Sequence, residues 1–418
     1  MYASREGKEN VVRFLFSKGA SAANKGLFFA AKNGHLNVCR EFVAKGADVN
    51  DSSALLIACA NGYLDIVKLF VDNGQFIEAT NSDGDTGLII ACINGNANLV
   101  RFLLSKGARI DQTNAKGVPP LFFATRQGNL DVCRDLVSRG AAVSGESNNG
   151  FSPWFEACEK GHLHIAEFFV EIGQNIEEAD SNGYTALIIA SAFGKTKVVH
   201  FLLSKGARVG WTNAFGLPAL FFAAKEAHLD VCRELVAMDA DVNQKSENSS
   251  PWLESCKKGH KDIVEFFAGN GQNIEATNSD GDTGLIFACM EGKADVVRFL
   301  LSKNARFDRT IDEGFSPLFL AAWRGHLGVC RELVAKGADV NRESDYAGSP
   351  WLQACAKGHL HVVEFFLGNG QDIEFTHRSG VSGLMYASFS GKANVVRFLL
   401  SKGARTDRTN AKGEGMDD

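Results

Sequence analysis

The sequence lacks the long apolar runs, the leader segment and the basic excess that mark several large classes of protein. No apolar stretch approaches the ~20 residues that a membrane-spanning helix needs, so we expect no insertion into a membrane. The N-terminal segment MYASREGKEN has no apolar centre of the kind found in secretion signals. A net charge of −5 argues against a dedicated nucleic-acid-binding protein. These absences predict a cytoplasmic protein, with the nucleus as the other open compartment.

Motifs for catalysis and for cofactor binding are also missing. The cysteines form no C-x-x-C pair, which weakens the case for a zinc site. The segment FGKT at 193–196 ends like a phosphate-binding loop, but Ile189 stands where that loop requires its first glycine. No nucleophile elbow or dinucleotide fingerprint is present. We therefore predict that the chain is not an enzyme and binds no cofactor.

The sequence does contain an internal repeat. A glycine in a KGA or NGQ segment recurs every 33 residues from Gly74 to Gly403, apart from one spacing of 32 between Asp239 and Gly271. Asp239 and Asn304 stand in place of this glycine in two repeats. Three kinds of repeat alternate, so that a block of 99 residues recurs through four cycles.

The spacing predicts a single array that occupies the whole chain. A partial repeat lies in 1–18, twelve full repeats lie in 19–403, and a partial hairpin and tail lie in 404–418. The segment MYAS at 1–4 is identical to MYAS at 385–388, which lies in the middle of a predicted helix, so neither end looks capped. Such ends indicate a segment of a longer array or a truncated gene model, and the alternative is end-to-end self-association with another chain.

Each repeat carries the sequence signals of two helices. In residues 81–114, the turn-forming segment NSDGD precedes the short apolar segment TGLIIACIN. The segment NANLVRFLLSKG then has apolar residues at helical spacing, and Gly107 ends this second helix in the left-handed region. All seven prolines fall in the first turn of a first helix, where a missing N–H is tolerated. Six hydroxyl residues stand at the same helix start, suited to N-capping: Thr86, Thr185, Thr283, Ser152, Ser316 and Ser349.

The predicted fold class is therefore all-α, and the chain resembles the ankyrin repeat family over essentially its whole length. The segment GHL occurs at 34–36, 161–163, 325–327 and 358–360, and KGADVN occurs at 45–50 and 336–341. The resemblance implies an ankyrin-repeat solenoid of stacked helix-turn-helix units joined by hairpin loops. One departure is that apolar residues such as Ile89, Phe122 and Phe155 replace the histidine of the family's T-P-L-H segment. The resemblance implies that this histidine links neighbouring repeats by hydrogen bonds, so we expect apolar contacts in their place.

The resemblance also implies a function. It indicates a non-catalytic scaffold or adaptor that binds a partner protein through hairpin tips and the concave face of the first helices. The other open interpretation is the recognition arm of a larger multidomain protein, such as a channel, a kinase or a ubiquitin-ligase component, whose effector lies outside this chain. In either case the partner is a protein of unknown identity, and neither nucleic acid nor a metal is expected.

Several recurring residues admit a chemical interpretation, and for each a structural one is preferred. The segment NSDGD alternates Asn and Asp as a calcium loop does, but Thr86 and Cys92 stand where that loop requires Gly and Glu, so we predict a hairpin turn. The ten cysteines recur at two helix positions and are predicted to be buried free thiols. The tryptophans Trp154, Trp252 and Trp351 occupy a leucine position of the family pattern and are predicted to lie in the core. Six histidines at the starts of second helices are expected to cap those helices: His35, His162, His228, His260, His326 and His359.

Positions that break the repeat are free to carry specificity. Five apolar residues at such positions lie in two adjoining repeats and form the main predicted contact site: Tyr184, Phe193, Trp211, Phe215 and Leu217. Phe193, for example, stands where equivalent repeats have Asn94, Glu291 and Ser390. A secondary set consists of Phe315, Trp323, Tyr346 and Phe389. Crowded surface aromatics favour a partner-binding hot spot, and the alternative is neutral variation or burial against a neighbouring loop.

Overall fold

The computed structural model describes residues 1–21, 24–49, 52–144, 152–244, 246, 249–311, 314–344 and 348–413. These residues form helices, turns and isolated β-bridges, with no strand among them, which confirms the all-α prediction. The helices are paired, and within each of the two compact units each pair stacks on the next, as expected for a solenoid of helix-turn-helix repeats. The chain divides into two compact units, Met1–Arg208 and Val209–Asp418, which are described separately below.

The helices are numbered in chain order, and odd numbers denote the first helix of a repeat. Met1–Arg208 contains α1 (Tyr2–Arg5), α2 (Glu9–Ser17), α3 (Asn24–Lys32), α4 (Leu36–Ala44), α5 (Ser52–Ala60), α6 (Leu64–Asp72), α7 (Gly87–Ile93), α8 (Ala97–Ser105), α9 (Pro120–Arg126), α10 (Leu130–Val137), α11 (Pro153–Lys160), α12 (Leu163–Glu171), α13 (Ala186–Ala192) and α14 (Thr196–Ser204). Val209–Asp418 contains α15 (Ala219–Lys225), α16 (Leu229–Ala237), α17 (Pro251–Lys258), α18 (Lys261–Gly269), α19 (Gly284–Met290), α20 (Ala294–Ser302), α21 (Pro317–Arg324), α22 (Leu327–Ala335), α23 (Pro350–Lys357), α24 (Leu360–Gly368), α25 (Gly383–Phe389) and α26 (Ala393–Ser401).

The repeat that contains α7 and α8 shows how local sequence sets the helix ends. The hydroxyl of Thr86 accepts a hydrogen bond from the backbone N–H of Ile89 at 3.2 Å, which caps α7. The side chain of Asn96 caps α8 in the same way, by accepting from the N–H of Leu99 at 3.2 Å. Gly107 then takes a φ of +88° and ends the second helix in the left-handed region, as predicted.

Three residues adopt this left-handed conformation although they are not glycine, and they lie in two repeats. Ala227, Asp239 and Asn304 have φ values of 65°, 64° and 61°, and they are the non-glycine residues with positive φ in the described part of the chain. Asp239 and Asn304 stand at the marker position identified from the sequence. Asn and Asp visit this region more easily than other residues, because their side chains hydrogen-bond locally. Ala227 has no such compensation, and it is therefore the strained member of the three.

The structure confirms most of the predicted N-cap residues and first-turn prolines, with two corrections. Five of the six hydroxyl residues accept the N-cap bond, namely Thr86, Thr185, Thr283, Ser316 and Ser349. Ser152 precedes α11 without making that bond, because its ψ is 126°, whereas that of Ser349 is 166°. Five of the prolines open a helix, whereas Pro119 and Pro218 are N-cap residues, one position earlier than the first turn.

Within each unit, equivalent residues of successive repeats stack to form the core, and first helices pack against the first helices of the adjacent repeats. The side chains of Trp154, Trp252 and Trp351 are fully buried, as predicted. All ten cysteines are buried and free, which confirms the thiol prediction. The core is therefore assembled from side chains that recur with the repeat.

The histidines at the starts of second helices link neighbouring repeats, which the sequence analysis did not foresee. The ring Nε2 of His326 lies 3.0 Å from the carbonyl oxygen of Met290, and that of His359 lies 3.0 Å from the carbonyl oxygen of Trp323. The same contact is made by His35, His162 and His260. These carbonyls lie in the last turns of first helices, where no intrahelical donor is available.

The prediction that the histidines cap their own helices is therefore wrong. None of the six N-cap histidines makes a side-chain cap bond, namely His35, His162, His228, His260, His326 and His359. The apolar residues expected to link repeats, such as Ile89 and Phe122, are buried. Links between repeats thus combine apolar packing with imidazole–carbonyl hydrogen bonds.

Candidate partner-binding surfaces

In Met1–Arg208, two of the five main candidates lie in the last repeat. Phe193 directly follows α13, and half of its surface is exposed (50%). Tyr184 is half-buried, and its backbone N–H donates to the Asp180 side chain at 2.7 Å. The turn that Asp180 organises fixes the backbone of Tyr184, and Phe193 is the more accessible ring of the two.

In Val209–Asp418, the other three candidates lie on one hairpin. The Oδ1 atom of Asn213 accepts from the N–H groups of Phe215 and Leu217, both at 3.0 Å. Asn213 is buried, and this pair of bonds holds the turn that presents Phe215, which is 64% exposed. Trp211 and Leu217 are half-buried on the flanks of the same hairpin. The structure thus presents Phe215 as the accessible member of this group.

The four secondary candidates have different environments. Phe315 stacks on Phe319 with ring centroids 4.5 Å apart and an interplanar angle of 6°. Phe315 and Trp323 both pack against the core residues Ile286, Phe319 and Leu320, so that each is only partly exposed. Phe389, at the end of α25, is 96% exposed. Tyr346 lies outside the described residues.

Three further exposed apolar residues, all close to marker positions, were not predicted from the sequence. Phe76, Ile172 and Met238 are exposed at positions just before or after a marker glycine or its substitute. The signal was present, since Ile172 stands where other repeats have Asn73, Asn270 or Asn369. Those asparagines donate from their side chains to a backbone carbonyl of the preceding turn, a bond that isoleucine does not make.

The NSDGD segment is a hairpin turn, as predicted. The Oδ1 atom of Asn81 accepts from the N–H groups of Asp83 and Asp85, both at 2.9 Å. The Asp85 carboxylate in turn accepts from the side chain of Asn114 in the next repeat at 3.0 Å. The copy at Asn278 uses the same bonds to Asp280 and Asp282. These oxygens organise backbone within a repeat and between adjacent repeats.

Burial shifts the pKa values of several titratable groups in the core away from their ordinary values. Burial raises the pKa of Cys39 to about 12. It also raises the pKa of Cys133 to about 11, although the hydrogen bond between Thr125 and Cys133 acts in the opposite direction. Burial also raises the pKa of Glu156, and Glu159 adds to the effect, whereas Lys160 and Arg126 oppose it. Among the described residues, no group of three or more His, Cys, Asp or Glu side chains is placed to hold a metal ion.

Comparison with known proteins extends these findings. A model of a family described as "Ankyrin repeats (3 copies)" matches residues 1–81, 55–147, 142–213, 193–278, 252–344 and 347–414. The crystal structure of the human ASB11 ankyrin repeat domain matches 53% of this chain and 99% of its own length, with 26% sequence identity and a TM-score of 0.50. A comparison with curated proteins gave no match. None of the described helices is long and apolar enough to cross a membrane.

Proposed function

Since the chain belongs to the ankyrin repeat family, whose repeats generally serve as protein-interaction modules, we propose that it is a non-catalytic scaffold that binds a partner protein. The supporting observation is the exposure of Phe193 and Phe215 at positions where equivalent repeats are polar. Exposed aromatic rings that break a repeat are suited to partner binding, because burying one contributes roughly 1.5–3 kcal/mol. The two residues lie in different compact units and are proposed as separate contact points.

The test replaces each ring by the residue that an equivalent repeat carries. Phe193→Asn restores the type of Asn94, which donates to the carbonyl of Ala60 in the preceding repeat at 2.9 Å. Phe215→Lys restores the type of Lys116, which occupies the same hairpin position. Because both replacements already occur in this array, we expect the melting temperature to stay unchanged.

The readout is quantitative capture of proteins from extract by the immobilised full chain. We expect at least one partner to be captured by the wild type and bound roughly tenfold or more weakly by Phe193→Asn or Phe215→Lys, since 1.4 kcal/mol is a tenfold change. Lys116→Ala, a change at the equivalent hairpin position, is the matched control and should leave capture intact. Undiminished capture by both aromatic variants would contradict the proposed contact points.

The recognition arm of a larger protein is the second candidate. The matched ASB11 structure is described as an ankyrin repeat domain, which favours an array that serves within a longer polypeptide. A reading frame that joins this array to an effector domain would support this candidate, and a terminated frame on both sides would contradict it. We also propose that the protein lies in the cytoplasm or in the nucleus, and fluorescence microscopy of the tagged full-length protein in cells tests this location.

End-to-end self-association stays a prediction. The exposed side chains on which it would rest are Val11 and Leu15 of α2 and Leu400 of α26. The equivalent residues of an internal repeat, Leu99, Leu103 and Leu104, are buried. Sedimentation velocity over a hundredfold concentration range measures this directly, and a constant monomer would contradict it.

A further inference from the structure

A row of apolar side chains runs along four consecutive first helices in Val209–Asp418. The same helix position is occupied by Met290 in α19, Trp323 in α21, Ala356 in α23 and Phe389 in α25. Phe389 is almost fully exposed, and the other three are half-buried. Adjacent first helices pack against one another along this row, so that the four residues lie side by side.

The core holds the central part of this row in place. Met290, Phe315 and Trp323 pack against a buried cluster of Ile286, Phe319 and Leu320. The stacking of Phe315 on Phe319 holds the ring of Phe315 in place beside the row. The central part of this surface is therefore preformed, and ligand binding costs little conformational entropy of these side chains.

Cations lie beside the rings of this surface. The guanidinium carbon of Arg324 is 5.2 Å from the ring centroid of Trp323, and the ammonium of Lys357 is 5.5 Å from the same centroid. At the start of the row, the ammonium of Lys257 in α17 is 5.8 Å from the ring centroid of Phe287 in α19. All three cations belong to exposed residues.

These cations differ from several arginines of Val209–Asp418 that form ion pairs. Arg298 pairs with Glu332 at 2.8 Å, Arg306 pairs with Asp308 at 3.1 Å, and Arg408 pairs with Glu374 at 2.8 Å. Lys257, Arg324 and Lys357 have ring contacts and no ion pair among the described residues, and all three belong to first helices. Lys303, Arg331 and Lys402 also contact rings without an ion pair in the described part of the chain, but they lie in second helices or directly follow them. The surface thus combines an apolar row with positive charge that the chain itself does not neutralise.

We propose that this surface binds an acidic, extended segment of a partner protein. Carboxylates of the segment pair with Arg324 and Lys357, and an apolar side chain of the segment packs on Trp323 and Met290. The proposal rests on the proposed function and specifies the chemistry of its ligand. Glu291 is exposed next to Met290 and repels acidic groups there, so the acidic end of the segment lies toward Lys357.

The length of the segment follows from the spacing of the helices. Packed helices lie ~8–10 Å apart, so a row of four spans roughly 25–30 Å. An extended chain rises ~3.3 Å per residue, so about nine residues cover the row. A nucleic acid is the less favoured ligand, because the chain has a net charge of −5 and the row offers three unpaired cations.

The test starts from a random twelve-residue peptide display library selected against the full chain. We expect the selected sequences to be enriched in Asp and Glu together with Leu or an aromatic residue. A selected peptide is then labelled, and its binding is followed by fluorescence anisotropy. The double variant Arg324→Gln/Lys357→Gln should weaken binding at least tenfold, and Kd should rise with salt in the wild type more steeply than in the variant.

Lys303→Gln provides the matched control. Lys303 also lies over a ring, that of Phe299 at 5.7 Å, but on a second helix. This variant should bind the peptide as the wild type does. Circular dichroism should show unchanged helicity for the double variant, because both altered side chains are exposed.

The outcomes separate this inference from the proposed function. Peptides that are neutral or basic, or whose binding survives Arg324→Gln/Lys357→Gln, overturn the inference. If their binding is instead lost in Phe193→Asn or Phe215→Lys, the proposed function stands without it. A labelled single-stranded oligonucleotide that binds more tightly than the peptide, and is released by the double variant, also overturns the inference. Selection of no peptide at all overturns it too, and the capture experiment alone then decides the proposed function.

Discussion

Ala227 is the position at which one small substitution should stabilise the protein. Its φ of 65° lies in the left-handed region, where an L-residue with a Cβ loses roughly 1–2 kcal/mol. Equivalent repeats have glycine here, including Gly325 with a φ of +80°. Ala227→Gly removes the strain, while the greater freedom of glycine in the unfolded chain takes back about 0.4–1 kcal/mol. We expect a net gain of about 0.5–1 kcal/mol.

Removal of the Cβ should also relieve crowding. A Cβ built on Gly325 would lie 2.6 Å from Nδ1 of His359, the imidazole that bonds to the preceding repeat. His260 occupies the same place relative to Ala227, and its Nε2 lies 2.9 Å from the carbonyl oxygen of Lys225. Ala227→Gly should therefore leave this hydrogen bond intact and lower the strain around it.

Thermal unfolding and hydrogen exchange measure the effect. One kcal/mol shifts the melting temperature of a cooperative unit of this size by ~2–4 °C. Because repeat arrays open locally, amide protection in α15 and α16 should rise more than in α25 and α26. Gly325→Ala is the reverse control and should destabilise its own repeat. Loss of stability in Ala227→Gly, or no change while Gly325→Ala destabilises, would refute the reasoning about strain.

Three further predictions concern the core. Gly284→Ala should lower the free energy of unfolding in urea by about 2–3 kcal/mol, because the new Cβ would lie 2.7 Å from Sγ of Cys256 and 3.0 Å from Nε1 of Trp252. Ala186→Gly changes the equivalent position in the opposite direction and should cost under about 1 kcal/mol. His359→Ala should lower the free energy of unfolding by about 1 kcal/mol, because the hydrogen bond to the Trp323 carbonyl is lost. Urea unfolding measures this change, and a variant as stable as the wild type would contradict a linking role for His359. Burial raises the pKa of buried thiols from 9.0 to about 11 at Cys133 and about 12 at Cys39, Cys59, Cys232 and Cys330. The thiols of the unfolded state release their protons at lower pH than those of the folded state, so the free energy of unfolding should be unaffected below pH 9 and fall from about pH 9 upward. The fall should reach as much as ~1.4 kcal/mol per pH unit for each thiol. Urea unfolding curves at pH 8, 9 and 10 that coincide would contradict this prediction.

Local signals were enough to predict the helix pairs. The marker Gly107 and the cap Thr86 act on backbone within a few residues, and sequence spacing reports such contacts directly. Ser152 failed as a cap although its residue type is suitable, because its ψ of 126° differs from the 166° of Ser349, and residue type alone does not determine ψ. The histidine contacts were missed because His359 and Trp323 lie 36 positions apart, and only the stacking of repeats brings them together.

The exposure of the candidate residues was predictable in part for the same reason. Substitution at a polar repeat position identified Phe193 and Phe215, and the structure places both at the surface. The same signal also selected Trp323, whose packing on the core depends on the neighbouring repeats. The placement of Lys357 over Trp323 had no sequence signal, since lysine at that position also occurs in other repeats.

The close fit between tryptophan and glycine has a consequence for how the array can be rearranged by recombination. Trp252 packs against Gly284, and Trp351 packs against Gly383, each in the following repeat. A repeat of the SPW kind placed after another of its kind would meet a proline at that position rather than glycine or alanine. Single repeats are therefore not interchangeable cassettes, and the shortest segment that can be duplicated with every interface preserved is the block of three.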